Sequence, residues 1–88
     1  MTKDEMSRIR DLVYQITQSS VKAHAETPLR DLRAVYHREE PTLDPYAKDK
    51  FRELISLSET ASGQVRDKEH WVQVANQALA KFEMSMKI

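Results

Sequence analysis

The stretch DPYAKDKFRELISLSETASG, residues 44–63, carries both a helix start and a helix stop and decides the fold class of this chain. Asp44 followed by Pro45 is typical of a helix start, because the carboxylate can cap free N–H groups and proline suits the first helical position. Apolar residues then recur every three or four positions, as an amphipathic helix requires. Gly63, the only glycine in the chain, indicates a left-handed cap at the helix end. We therefore expect a helix over about 45–62.

The apolar period of the carboxyl-terminal part of the chain predicts a helix over about 67–86. Its apolar face is more apolar than those of the other predicted helices. Its inward positions are Trp71, Val72, Ala75, Ala78, Leu79, Phe82 and Met86. We expect Trp71 to be largely buried against Phe82 and against Phe51 or Leu54. Met84 and Ile88 fall outside this apolar face.

The first helix is predicted over about 3–25. Thr2 and Glu5 have the spacing of a capping box, in which each side chain satisfies a backbone N–H group at the helix start. The positions expected to face inward are Met6, Ile9, Leu12, Val13, Ile16, Ser20 and Ala23.

The second helix is predicted over about 28–40 and is the shortest of the set. Thr27 followed by Pro28 repeats the start signal seen at Asp44, and Pro41 disfavours helical geometry in the residue before it. Connections of only a few residues favour antiparallel neighbours. The sequence therefore predicts an all-α fold: a single helical domain over 1–88, built as a compact bundle of about four mostly antiparallel helices.

Composition narrows the classes of function. Fourteen Lys and Arg balance fourteen Asp and Glu, so no overall charge attracts the chain to nucleic acid or to anionic lipid. The chain has no cysteine, and its charged first residues are not followed by an apolar run such as a signal peptide has. No segment approaches the length of about 20 apolar residues needed to cross a membrane. We expect a cytoplasmic protein of bacterial or phage type.

The residue types that carry chemistry are sparse. His24, His37 and His70 fall on three different predicted helices, and His37 with Glu40 reverses the Glu-x-x-His order that di-metal bundles repeat on facing helices. Acid–base catalysis needs a proton acceptor held in a water-poor pocket, for which so small a core has little room. We therefore predict no metal, no cofactor, no catalytic residue and no enzymatic activity.

Two surfaces are candidates for binding a partner. Arg30, Arg33 and His37 lie on one side of the second helix, where they form either a solvated flank paired with nearby carboxylates or a contact for an acidic protein surface or phosphate. Tyr14 and Val21 are expected on the first helix, away from its main apolar stripe. They mark either an exposed second surface or a helix with two packing neighbours.

These features favour a non-enzymatic module that binds another protein, as an accessory subunit, an inhibitor or an adaptor. The alternative is a nucleic-acid-associated regulator that uses the basic side of the second helix, although so few basic residues make nucleic acid the less favoured partner. A homodimer is left open.

Overall fold

The structure, a computed structural model, describes residues 1–86 and places them in four α-helices. These are α1 (Lys3–Thr17), α2 (Glu26–Glu39), α3 (Pro45–Thr60) and α4 (Lys68–Met86), with short 3₁₀ turns at Lys22–Ala25 and Glu40–Thr42. No strand occurs in this described part of the chain, and the predicted all-α class is confirmed. Ile88 lies outside the described residues.

Neighbouring helices run antiparallel, as contacts between their opposite ends show. Arg10 at the middle of α1 pairs with Glu83 near the end of α4 at 2.6 Å, whereas Lys68 at the start of α4 reaches the Ser19 carbonyl just after the end of α1 at 3.2 Å. Glu5 at the start of α1 likewise pairs with Arg38 at the end of α2 at 3.2 Å. The α3 and α4 helices share the largest contact surface, and α1 packs mainly on α2. One side of α1 therefore lies beside α4 without being fully covered by it.

The centre of the core is a chain of aromatic rings. Phe51 on α3 meets Phe82 on α4 edge-to-face, with ring centroids 4.8 Å apart, and Tyr36 on α2 meets Phe51 at 5.2 Å. Both phenylalanines are fully buried. The prediction that Trp71 belongs to this centre is wrong: Trp71 lies in the first turn of α4, at one end of the bundle, and is only half-buried beside His70.

Two predicted helix starts are confirmed in detail. Thr2 Oγ1 accepts a hydrogen bond from the Glu5 N–H at 3.1 Å, and Asp44 Oδ1 accepts one from the Ala47 N–H at 2.8 Å. The reciprocal half of the Thr2 capping box is absent within residues 1–86. The Glu5 carboxylate instead accepts a hydrogen bond from Arg38, because α2 brings a guanidinium within reach.

The first helix ends at Thr17, not near Ala25 as predicted. Ser19 Oγ donates to the Ile16 carbonyl at 2.6 Å, a local bond that competes with the helical backbone pattern. Val21 then adopts an extended conformation. As a result Val21 lies in the linker after α1, and the predicted inward positions Ser20 and Ala23 are exposed.

The second helix begins at Glu26, two residues before the predicted start, and the Thr27 side chain caps nothing. The chain enters α2 directly from the 3₁₀ turn at Lys22–Ala25, which supplies the turn that a side-chain cap would otherwise provide. Pro28 therefore occupies the third helical position, where its missing N–H costs nothing because the first four N–H groups of a helix have no partner in the helix itself. The predicted end before Pro41 is confirmed, since α2 stops at Glu39.

A polar junction joins the α3–α4 loop to the end of α1. The Lys68 ammonium donates to the carbonyl oxygens of Ala61 and Gly63, each at 2.6 Å, and to that of Ser19 at 3.2 Å. The Gly63 N–H donates to Ser19 Oγ at 2.9 Å. Gly63 has a φ of +70°, so the left-handed conformation predicted for it is confirmed. The junction holds the start of α4 against the end of α1.

Candidate protein-docking groove

The basic side of α2 is largely engaged by carboxylates of the chain itself. Arg33 pairs with Glu59 of α3 at 2.5 Å, and Arg30, whose side chain is 77% exposed, lies 4.0 Å from the carboxylate of its neighbour Asp31. His37 is exposed and its ring packs edge-on against Tyr36. The structure thus places Arg30, Arg33 and His37 on one exposed side of α2, as predicted, but Arg33 is already paired and Arg30 has a carboxylate beside it.

Tyr14 is the predicted surface residue with the most distinctive setting. Its side chain is 67% exposed, against 45% for Val21. Tyr14 lies one helical turn from Arg10 on one side and from Gln18 on the other, and these three residues share the side of α1 that faces α4. Val21 lies beyond the end of α1, so the two residues do not share a helical surface.

An open groove of about 590 Å³ runs along α4, and Gln18, the residue that caps the end of α1, lines its opposite side. The groove is of the size that proteins use to bind ligands, in the range of about 300–1,000 Å³. Lys68 and Glu69 lie at one end, and the remaining lining side chains are uncharged. They are Gln18, Val72, Gln73, Asn76, Gln77 and Ala80.

Two polar contacts fix α4 relative to α1. Arg10 of α1 donates twice to the Glu83 carboxylate of α4, at 2.6 and 3.2 Å, and this hydrogen bond raises the pKa of Arg10 above its ordinary value. Lys68, at one end of the groove, is held by three carbonyl oxygens. Burial, with the nearby charge of Lys22, lowers the pKa of Lys68. The first contact joins α1 to α4, and the second joins the start of α4 to Ser19, just after α1. Together they hold Gln18 beside α4.

The sequence contains a signal for this uncharged groove that motifs alone do not detect. Although 32% of the residues are charged, the two longest runs without Asp, Glu, Lys or Arg are residues 12–21 and 70–80. The first forms the second half of α1 and the linker after it, and the second forms the middle of α4. The antiparallel packing of the two helices brings these runs side by side.

The groove offers contact surface and hydrogen bonds. Asn and Gln side chains both donate and accept, so they can pair with a polypeptide backbone or with one another. Within residues 1–86, no group of three His, Asp or Glu side chains lies close enough together to hold a metal ion, and no helix has the length and apolarity that crossing a membrane requires.

Comparison of the sequence with protein-family models, with curated proteins and with solved structures finds no match.

Proposed function

We propose that this chain is a non-enzymatic helical protein–protein interaction module and that it binds its partner through the groove between α1 and α4. The observation that carries the proposal is the uncharged floor of the groove, with charged side chains at one end only, in a chain of which 32% of the residues are charged. The centres of protein interfaces are depleted in charged residues and enriched in tyrosine. Tyr14, exposed on α1 one helical turn before the lining residue Gln18, fits that composition.

The physical reason is the cost of removing charge from water. A partner that covers the floor of the groove desolvates amide, valine and alanine groups, whereas a partner that covers a charged surface must pair every charge it buries. Of the two charged side chains that line the groove, Lys68 already binds backbone carbonyls, and Glu69 lies beside it at the same end. Binding can therefore proceed without breaking an ion pair.

The basic side of α2 supports the nucleic-acid alternative less well. A phosphate at Arg33 would compete with Glu59, and a phosphate at Arg30 would lie close to Asp31. Salt separates the two functions, because each phosphate contact makes binding strongly salt-dependent, whereas an uncharged groove predicts a change of less than about threefold between low and high salt. A cytoplasmic location stays a prediction.

The experiment places a photo-reactive amino acid at Asn76, in the groove, in cells that express the chain. Matched variants carry the same group at Arg30, on the basic side of α2, and at Ser56, on the exposed side of α3. We expect one defined protein adduct from Asn76 and none from Ser56. Adducts from Arg30 alone would refute the groove and restore the basic side of α2 as the binding surface.

The protein found in the adduct is then purified and its affinity measured directly. Ala80→Glu places an unpaired carboxylate on the floor of the groove at an exposed helical position. We expect this variant to keep its helical spectrum and melting temperature and to bind about tenfold more weakly or worse. Unchanged affinity would contradict the proposal.

A further inference from the structure

The outward side of α4 carries a second periodic stripe, distinct from the stripe that enters the core. Gln73, Gln77, Ala80 and Met84 follow one another at intervals of four, three and four residues, the spacing of a heptad seam. All four are exposed, and Met84, at 77%, is the most exposed of the large apolar side chains in residues 1–86. Three of them line the groove, so the seam and the groove form one continuous surface.

We propose that the partner bound at this surface is a second copy of the chain, with the two α4 helices packed antiparallel about a two-fold axis. The proposal rests on the proposed function, because it names the occupant of the same groove. An axis midway between Gln73 and Met84 places Gln73 opposite Met84 of the second copy, and Gln77 opposite its Ala80. The small Ala80 side chain allows the helices to approach closely and leaves room for the long Gln77 side chain.

The seam meets the charge requirement of a two-fold interface between copies. In a two-fold interface each residue meets the same surface patch of the other subunit, so a patch with net charge would repel itself. The seam carries no charge, and the two Gln77 amides, which lie close to the axis, can donate to and accept from each other across it. A surface with these properties is complementary to itself.

The seam is short, which sets the expected strength of association. Residues 73–84 of α4 span only about 16 Å along the helix, so the contact falls at the small end of protein interfaces, where complexes are weak and transient. We expect a monomer–dimer equilibrium that depends on concentration. The dimer should dominate at about 500 µM and the monomer at about 10 µM.

Disulfide trapping tests both the partner and the register. The chain has no cysteine, so an introduced cysteine can form a disulfide only with another molecule. We expect a mixture of Gln77→Cys and Ala80→Cys variants, and a mixture of Gln73→Cys and Met84→Cys variants, to form mixed dimers rapidly on oxidation. Ser56→Cys, exposed on α3, measures random collision.

The control for orientation is Met84→Cys alone. In the antiparallel arrangement the two Met84 positions are separated by about 16 Å along the helices, beyond the limit of about 7 Å between Cα atoms for a disulfide. We expect this variant alone to cross-link no faster than Ser56→Cys. Rapid cross-linking of Met84→Cys with itself would overturn the proposed arrangement.

Sedimentation of the unmodified chain gives the second readout. We expect the mass to rise from 10.3 kDa toward twice that value as the concentration increases, and Ala80→Glu to remain at 10.3 kDa. A monomer at every concentration would overturn the second-copy proposal. A photo-adduct from Asn76 that contained a different protein would show that the groove nevertheless binds a partner, whereas no adduct at all would show that the proposed function had failed as well.

Discussion

Gly63→Ala is the substitution for which the structure gives the most specific expectation. A Cβ atom at this position would lie 2.7 Å from Lys22 Cγ and 2.8 Å from the Lys22 backbone nitrogen, and Gly63 also has a φ of +70°. The left-handed conformation costs an alanine about 1–2 kcal/mol. Relief of the two close contacts requires backbone movement, for which overpacked sites typically cost about 1–3 kcal/mol. We expect a loss of about 2–5 kcal/mol in the free energy of unfolding.

That loss is large for a chain of this size. At roughly 0.05–0.15 kcal/mol per residue, total stability lies in the range of about 4–13 kcal/mol. Each kcal/mol changes the melting temperature of a small domain by about 4–8 °C, so Gly63→Ala should lower it by more than about 8 °C. Urea and thermal unfolding followed by circular dichroism measure the effect. The exposed neighbour Gln64 provides the control, since Gln64→Ala should stay within about 0.5 kcal/mol of the parent.

A second variant separates the sources of the loss. Lys22→Ala removes the Cγ contact but leaves the backbone nitrogen and Cα, at 2.8 and 3.2 Å, in place. Added to Gly63→Ala, it should restore less than half of the lost stability. A Gly63→Ala protein within about 1 kcal/mol of the parent, or complete rescue by Lys22→Ala, would refute the reasoning.

Three further substitutions test the polar contacts of the fold. Lys68→Met removes charged hydrogen bonds to three carbonyl oxygens and should lower the free energy of unfolding, measured in urea, by about 1.5–3 kcal/mol. An unchanged free energy of unfolding would show that the junction does not fix the groove. The Glu5 carboxyl group beside Glu39 raises the pKa of Glu39, so the stabilising contribution of Glu39 is present at low pH and is lost as the pH rises through that raised pKa. Glu39→Gln should therefore melt higher than the parent at neutral pH, with the difference vanishing in acid, and the opposite trend would contradict this assignment. Ser58 is fully buried and its hydroxyl has no hydrogen-bond partner within residues 1–86. Ser58→Ala should therefore gain about 1 kcal/mol more in the free energy of unfolding than Ser56→Ala, the exposed control with the same change in helix propensity. An equal gain would indicate an unseen partner of the Ser58 hydroxyl.

The parts of the fold that the sequence predicted are those that depend on neighbouring residues. Asp44 caps α3 because its carboxylate reaches an N–H group three residues away, and α2 stops before Pro41 because proline restricts the residue before it. Such effects act within one helical turn. They can be read from the sequence without knowledge of the rest of the molecule.

The errors arose where distant parts of the chain decide the outcome. Thr27 does not cap α2, because the preceding 3₁₀ turn leads directly into the helix at Glu26. Trp71 follows the apolar period of α4, but its position at one end of the bundle leaves it half-buried. Apolar periodicity identifies the side of a helix that faces the core, and not how far the neighbouring helices extend over it.

The same distinction between effects of neighbouring residues and effects of distant parts of the chain applies to the candidate site. The exposure of Tyr14 was one of two alternatives open in the sequence, and the structure supports the exposed one. The groove itself requires α1 and α4 to lie side by side, which depends on contacts such as the one between Arg10 and Glu83, 73 residues apart. The uncharged runs 12–21 and 70–80 are visible in the sequence, but only the fold shows that they meet.

The most direct measurement is residue-resolved NMR of the labelled chain during titration with the protein that Asn76 captures, whether a second copy or a different chain. If the groove between α1 and α4 is the binding surface, the largest chemical-shift changes should lie at Tyr14, Gln18 and residues 72–84. The exposed side of α2, at residues 30–37, should change little. Changes concentrated on α2, or spread evenly over the four helices, would contradict the account.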